Sequence, residues 1–189
     1  LVADPAPLML GGGNPSHVPP VQALFRKRMK AILAQPGEFE RVIGNYDTPQ
    51  GAKLFIESLV ELFRSEFGWK VGPQNFALTN GSQNSFFYLF NLFAGRFGET
   101  RRKQILLPLA PEYIGYSEVG LEKDFFQANR PEITRLANNL FKYQVDFDSL
   151  KINEQTGAVC FSRPTNPTGN VVTDEEVERL REGAKRQGV

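Results

Sequence analysis

The chain is poor in the side chains that most often carry metal or nucleophilic chemistry. It has one cysteine, Cys160, and one histidine, His17, among 189 residues. An internal disulfide needs two thiols and is excluded. A zinc site built from Cys and His lacks its donors, so no metal is expected. Catalysis by a nucleophile–histidine pair would have to run through His17, which stands in a proline-rich stretch with no nucleophile signature. Cys160 lies in the apolar run Ala158-Val159-Cys160-Phe161 and reads as a small buried hydrophobe. An excess of one charge is also missing: 22 basic residues face 21 acidic ones, for a net charge of +1. That balance gives a nucleic acid no footing. The densest basic runs, Arg26-Lys27-Arg28 and Arg101-Arg102-Lys103, are short enough to be solvated faces. No apolar run approaches the length of a membrane-spanning helix, and no charged-then-apolar leader is legible. The sequence therefore predicts a cytoplasmic protein with neither a membrane nor a nucleic-acid partner.

What is present is material for a core. Hydrophobic residues make up 41% of the chain and 16 residues are phenylalanine, enough for one domain or part of a larger one. The stretch that organises the rest runs from Leu78-Thr79-Asn80-Gly81-Ser82-Gln83-Asn84-Ser85 into Phe86–Phe93. A short apolar, strand-like run (Phe76 to Leu78) stops at Thr79-Asn80-Gly81, and a helix-like run begins at once. Ser82 is the expected N-cap, because its hydroxyl can accept from a free N–H one turn later. Gly81 lets the backbone come close to whatever sits there. Such a joint aims free N–H groups and the positive end of a helix dipole at one spot, which suits a phosphate. A tight strand–helix turn with no ligand fits the same residues.

Taken in order, Leu8-Met9-Leu10 runs into Gly11-Gly12-Gly13-Asn14-Pro15, where bare backbone N–H groups could meet a small carboxylate or simply form a flexible loop. The spacing is not that of a dinucleotide fingerprint. Pro19-Pro20 opens a helix to about Ala34 with Val21, Leu24, Phe25, Met29, Ile32 and Leu33 on one face, and Pro36-Gly37 ends it. A loop containing Asn45-Tyr46-Asp47-Thr48-Pro49-Gln50-Gly51 follows Gly37, then a second amphipathic helix from Lys53 to Phe67, stopped by Gly68. The helix over Phe86–Phe93 is apolar almost all round and is expected to be buried on several sides. After a charged loop from Gly98 to Lys103, the strand Ile105-Leu106-Leu107 feeds the proline-braced loop Pro108 to Tyr116. Short strands and loops fill Gln127 to Lys151. Val159 to Ser162 reads as another strand, ending in Arg163-Pro164-Thr165-Asn166-Pro167-Thr168-Gly169. Thr173 and Glu176 form a capping box for a last helix, roughly Asp174 to Gln187. Strands alternating with helices, with polar loops just past the strand ends, describe an α/β protein that binds its ligand at those ends. The run ends at Gly188-Val189, where a further strand is expected to begin.

Four loops in this order resemble the fold type I, aspartate-aminotransferase-like pyridoxal-phosphate enzymes: Gly12-Gly13-Asn14-Pro15, Asn45-Tyr46 with Gly51, Thr79-Asn80-Gly81-Ser82-Gln83, and Asn166-Pro167-Thr168-Gly169. Within that family the phrases LGGGNP (10–15), NYDTPQG (45–51), LTNGSQNSFFYLFNLFAGR (78–96), PLAPEYIGY (108–116) and SRPTNPTGNVVTDEE (162–176) are closest to bacterial enzymes that exchange an amino group between valine and pyruvate. The resemblance implies a three-layer α/β/α large domain with a mixed, mostly parallel sheet. Residues 1–37 would form an N-terminal arm and helix, and 38–189 the first part of the cofactor-binding large domain. It implies pyridoxal 5'-phosphate as cofactor and an amino acid and a 2-oxo acid as substrates. Gly81, Ser82 and Gln83 would hold the cofactor phosphate, Tyr113 would stack on its ring, and Asn166 would bond the ring's phenolic oxygen. Tyr46 would reach the phosphate of a neighbouring subunit, implying a homodimer with shared sites. Gly12 and Gly13 would meet the substrate carboxylate.

Arg163 departs from the pattern, standing where many relatives carry the first Asn of Asn-Pro-x-Asn-Pro. The resemblance also requires a Schiff-base lysine, an acid for the ring nitrogen and an arginine for the substrate carboxylate. None matches a position here, so all three are expected beyond Val189 and this chain alone is expected to be inactive. Another type I reaction, such as a carbon–sulfur lyase or a different aminotransferase, is the rival within enzymes. A non-catalytic regulatory or interaction module is the rival outside them.

Overall fold

A computed structural model describes residues 14–189. Gly12 and Gly13, the residues expected at the substrate carboxylate, lie outside the described residues. The chain packs as two units, Leu1–Ala77 and Leu78–Val189.

In the first unit α1 (Pro19–Ala34) begins with proline in its first turn, where the missing N–H costs nothing. Its apolar stripe, including Leu24, Phe25 and Leu33, is exposed. Gly37, left-handed at φ 76°, turns the chain into α2 (Glu38–Gly44), where the sequence reading had a loop. Seven residues give under two turns, too few for a periodic signal. α3 (Lys53–Phe67) buries Ile56 and Val60 and stops at Gly68, left-handed at φ 64°, whose N–H and that of Trp69 satisfy the last carbonyls. Phe63 packs against Phe67, Trp69 and Phe76. The Gln50 amide donates to the carbonyls of Pro73 and Phe76, both at 2.6 Å. The packing of α3 and the reach of Gln50 tie residues 69–76 to the first unit.

The second unit is α/β in three layers. α4 (Ser82–Phe93) leads through β1 (Gly95–Phe97) into the central strand β2 (Arg101–Leu107), antiparallel to β1. β3 (Phe126–Ala128) lies parallel to β2, and so does β6 (Thr156–Val159). Between them in sequence, β4 (Glu132–Arg135) and β5 (Phe141–Gln144) form a separate antiparallel pair. Side chains alternate across the sheet. Ile105, Leu107, Ala158 and Cys160 pack with Phe86, Phe90 and Ala94 beneath α4, while Phe161 joins Val177 and Leu180 of α5 (Asp174–Gln187) in a second cluster. Gly157 marks the tightest passage: a Cβ there would lie 2.8 Å from the carbonyl carbon of Phe93.

The capping box at Thr173 and Glu176 forms, and it does more than cap. The Thr173 hydroxyl accepts from the Glu176 N–H at 3.2 Å, and Glu176 accepts from the Thr173 N–H at 2.8 Å. Its other oxygen accepts from the N–H of Val145 at 2.9 Å, just past β5. A buried carboxylate is tolerated here because two backbone donors face it.

Several expectations are corrected. The run 76–78 is extended at Phe76 but pairs with no strand among the described residues. Of α4 only Phe90 is buried; Tyr88 and Leu92 are more than 60% exposed, because one face alone meets the sheet. Arg101–Lys103 is strand rather than loop, since β1 supplies it with a partner. β6 starts three residues earlier than expected and ends at Val159. Past Cys160, whose N–H still donates to Leu106, the Ser162 N–H turns to a side chain instead of the sheet.

Candidate functional site

The order β3-β2-β6 sets up the site. The chain leaves β2 to one side for β3 and returns across it to β6, so the carboxyl ends of β2 and β6 lie side by side. Open α/β sheets bind ligands in the crevice such a reversal leaves. Two loops enter it, Pro108–Tyr116 after β2 and Cys160–Asn170 after β6. The N-terminus of α4 joins them, because the Gln83 side-chain amide donates to the Gly115 carbonyl at 2.8 Å.

At the start of α4 the N-cap is Gly81, not Ser82, which is the first helical residue. The reason is the backbone: Gly81 has φ 86° and ψ 163°, a region essentially closed to residues with a Cβ. No side chain caps the helix, and its first turn holds no acidic residue. The Thr79 hydroxyl accordingly braces the turn from the side, donating to the Gly81 carbonyl at 2.8 Å and lying 2.6 Å from the Ser85 hydroxyl. Ser82 and Gln83 are exposed, and among the described residues no acceptor takes their first-turn N–H groups, which leaves them, with the helix dipole behind them, available to an anion. A Cβ at Gly81 would meet nothing within 4 Å, so glycine is held there by its backbone angles and not by crowding.

Tyr113 is 39% exposed and stands edge-on to the buried Tyr116, ring centroids 5.5 Å apart. Tyr116 in turn packs on Phe86 and Phe90 in the core. The Tyr113 ring lies across Gly115, where a Cβ would come within 2.8 Å of the ring. Glycine at 115 is thus what lets the tyrosine lie down on its own loop.

Asn166 is exposed in a loop closed on itself: the Thr165 N–H donates to the Asn170 carbonyl at 2.8 Å, and the Thr165 hydroxyl to the Ser162 carbonyl at 3.0 Å. The unusual Arg163 pairs with Asp174 at the start of α5, at 2.5 Å. The Ala110–Pro111, Arg163–Pro164 and Asn166–Pro167 bonds in these loops are cis. Tyr46 belongs to the first unit, where its side chain is fully exposed in the loop between α2 and α3.

The structure thus places Gly81, Ser82 and Gln83 at the start of α4, which the Gln83–Gly115 bond joins to the loop of Tyr113 after β2, and Asn166 on the loop after β6. It also adds two residues the sequence reading missed. Glu112 accepts from the Ser162 N–H at 2.7 Å and from the Ser162 hydroxyl at 2.8 Å, joining the two loops. Fifty residues separate the pair, and no spacing in the sequence flags it. Beneath them, burial pushes the Tyr116 phenol above its ordinary value. Burial, with the Glu112 carboxylate adding to it, raises the Cys160 thiol to about 11. At neutral pH that thiol stays protonated and packs as a small hydrophobe.

The model of the aminotransferase class I and II family matches residues 26–189. A valine–pyruvate aminotransferase of Escherichia coli K12 is 51% identical over 98% of this chain, which covers 44% of that protein. The solved valine–pyruvate aminotransferase of Salmonella typhimurium LT2 superposes with a TM-score of 0.82 at 49% identity, over 96% of this chain and 44% of that one. An LL-diaminopimelate aminotransferase of Protochlamydia amoebophila is 24% identical over 99% of this chain and 44% of its own length. The chain spans less than half the length of these relatives.

Proposed function

The chain belongs to the class I and II aminotransferases, and on that premise we propose that it is the amino-terminal part of a pyridoxal-phosphate enzyme. Its reaction moves the amino group of valine to pyruvate, giving 2-oxoisovalerate and alanine. The observation that carries the reading is the meeting of an uncapped helix start, an aromatic lying on its loop and the Asn166 loop at one strand-end crevice. The residues fit the cofactor. The N–H groups of Ser82 and Gln83 suit its phosphate and the Tyr113 face suits its ring. The Asn166 amide suits a ring oxygen. When bound, the cofactor supplies the electron sink for chemistry at the substrate α carbon. The chain's own part is to hold, orient and shield that group.

The choice of valine and pyruvate rests on the likeness to the Escherichia coli and Salmonella enzymes. In the same reading Gly12 and Gly13 contact the substrate carboxylate. Tyr46 serves the site of a second subunit in a cytoplasmic homodimer, consistent with its full exposure in the first unit. No lysine from Lys27 to Lys185 stands in a motif resembling the family's, so the catalytic lysine is assigned to the remainder of the whole protein. This chain by itself is expected to be inactive.

The test is to incubate the purified whole protein with pyridoxal phosphate, isotopically labelled valine and pyruvate. Alanine carrying the label nitrogen is expected to form one-for-one with 2-oxoisovalerate. Absence of valine-dependent alanine would refute the substrate assignment. Release of ammonia without an acceptor would place the protein among the lyases instead.

A further inference from the structure

The loop that carries Tyr113 is fastened at two points, one on either side of the tyrosine. On one side, Glu112 accepts from both the N–H and the hydroxyl of Ser162, at 2.7 and 2.8 Å. On the other, the Gly115 carbonyl accepts from the Gln83 amide at 2.8 Å. The first fastening reaches the loop of Asn166 and the second reaches the start of α4. Three groups read as cofactor contacts therefore sit on three separate segments, held in register by the Glu112 carboxylate, which no cofactor role claims, and by the side-chain amide of Gln83, whose backbone N–H is the part read as a phosphate contact. Glu112 is half-buried and faces its donors with both oxygens, a two-point bridge to Ser162. The Ser162 hydroxyl passes the arrangement on to Tyr116, whose phenol lies 3.3 Å away and whose ring supports Tyr113.

From this geometry we infer that Glu112 is a positioning residue for the cofactor: it sets the Tyr113 ring against the Asn166 loop without touching the reacting atoms. The inference rests on the pyridoxal-phosphate reading above. An aromatic on an exposed proline-rich loop has many orientations open to it, and freezing one before binding removes an entropic cost from binding. The bridge between the loops uses one oxygen for the Ser162 N–H and the other for the Ser162 hydroxyl; the second oxygen also accepts locally from the Tyr113 N–H at 3.3 Å. A glutamine can reproduce the bridge, its carbonyl accepting from the Ser162 N–H and its amide donating to the hydroxyl.

The experiment compares E112A, E112Q and the unaltered whole protein by equilibrium titration with pyridoxal phosphate. Circular dichroism in the cofactor's absorption band, which reports a fixed ring orientation, is read alongside. E112A is expected to bind the cofactor about tenfold more weakly and to lose most of the induced signal, while E112Q stays within about twofold on both. E112A matching the unaltered protein in affinity and signal would overturn the inference, and so would E112Q failing as badly as E112A. Should E112A not fold, S162A is read the same way. It keeps the N–H on Glu112 and removes the hydroxyl, so a reduced induced signal is expected and an unchanged one overturns the inference. If the unaltered protein binds no pyridoxal phosphate, the cofactor reading itself has failed, a result distinct from all of these.

Discussion

Replacing Gly157 by alanine is expected to destabilise the second unit by about 3 kcal/mol or more, through overpacking that neighbouring atoms have little room to relieve. The position is in β6, with the backbone at the end of α4 directly above it. An added Cβ would sit 2.8 Å from the Phe93 carbonyl carbon and 3.2 Å from the Lys103 Cβ. A flexible side chain could move aside; a carbonyl at a helix end can do so only by lifting α4 off the sheet. That displacement would also open the contacts of Phe90 and Ala94 with Ile105, the centre of one core cluster. The urea midpoint of the whole protein, followed by far-ultraviolet circular dichroism, measures the effect. A midpoint equal to that of the unaltered protein would mean that α4 does not rest on β6 as described.

Gly81→Ala is expected to separate binding from folding. Nothing lies within 4 Å of the new methyl group, so the whole effect comes from the backbone. At φ 86° and ψ 163° an alanine is strained by roughly 1–3 kcal/mol, and the turn relaxes by rotating away from that conformation. Rotation re-aims the N–H groups of Ser82 and Gln83 and dislodges the Thr79 brace on the Gly81 carbonyl. Affinity for pyridoxal phosphate should fall by at least about tenfold. Gly98→Ala is the control. It places alanine at another positive φ, 71°, with open space around it, in the turn between β1 and β2. It should lower the melting temperature to a similar degree and leave cofactor affinity unchanged. Equal losses of affinity in both variants would show that the helix start has no special part in binding.

How much of this was legible in the sequence depended on whether the signal was local. The bounds of α1, α3 and α5 follow from periodic apolar faces, from stops at Pro36-Gly37 and Gly68 and from the start signal of the Thr173–Glu176 box, all within one or two turns of chain. The loops of the candidate site were legible by their motif order. What stayed hidden was pairing. β1 is only Gly95-Arg96-Phe97 and the first half of β2 is charged or polar; both become strand because each supplies the other with partners. The N-cap was misplaced by one residue because serine's capping chemistry was weighed against a glycine whose φ no sequence rule could supply. The Phe86–Phe93 part of α4 is apolar almost all round, yet only one face meets the sheet. The Glu112–Ser162 bridge arises only once β2 and β6 lie side by side and bring loops 50 residues apart together.

The most direct test of the account is a structure of the whole protein bound to pyridoxal phosphate. The phosphate is expected at the first turn of α4, accepting from the backbone N–H groups of Ser82 or Gln83, with the ring beside Tyr113. A phosphate bound away from that turn, with Ser82 and Gln83 N–H groups left to solvent, would contradict the account.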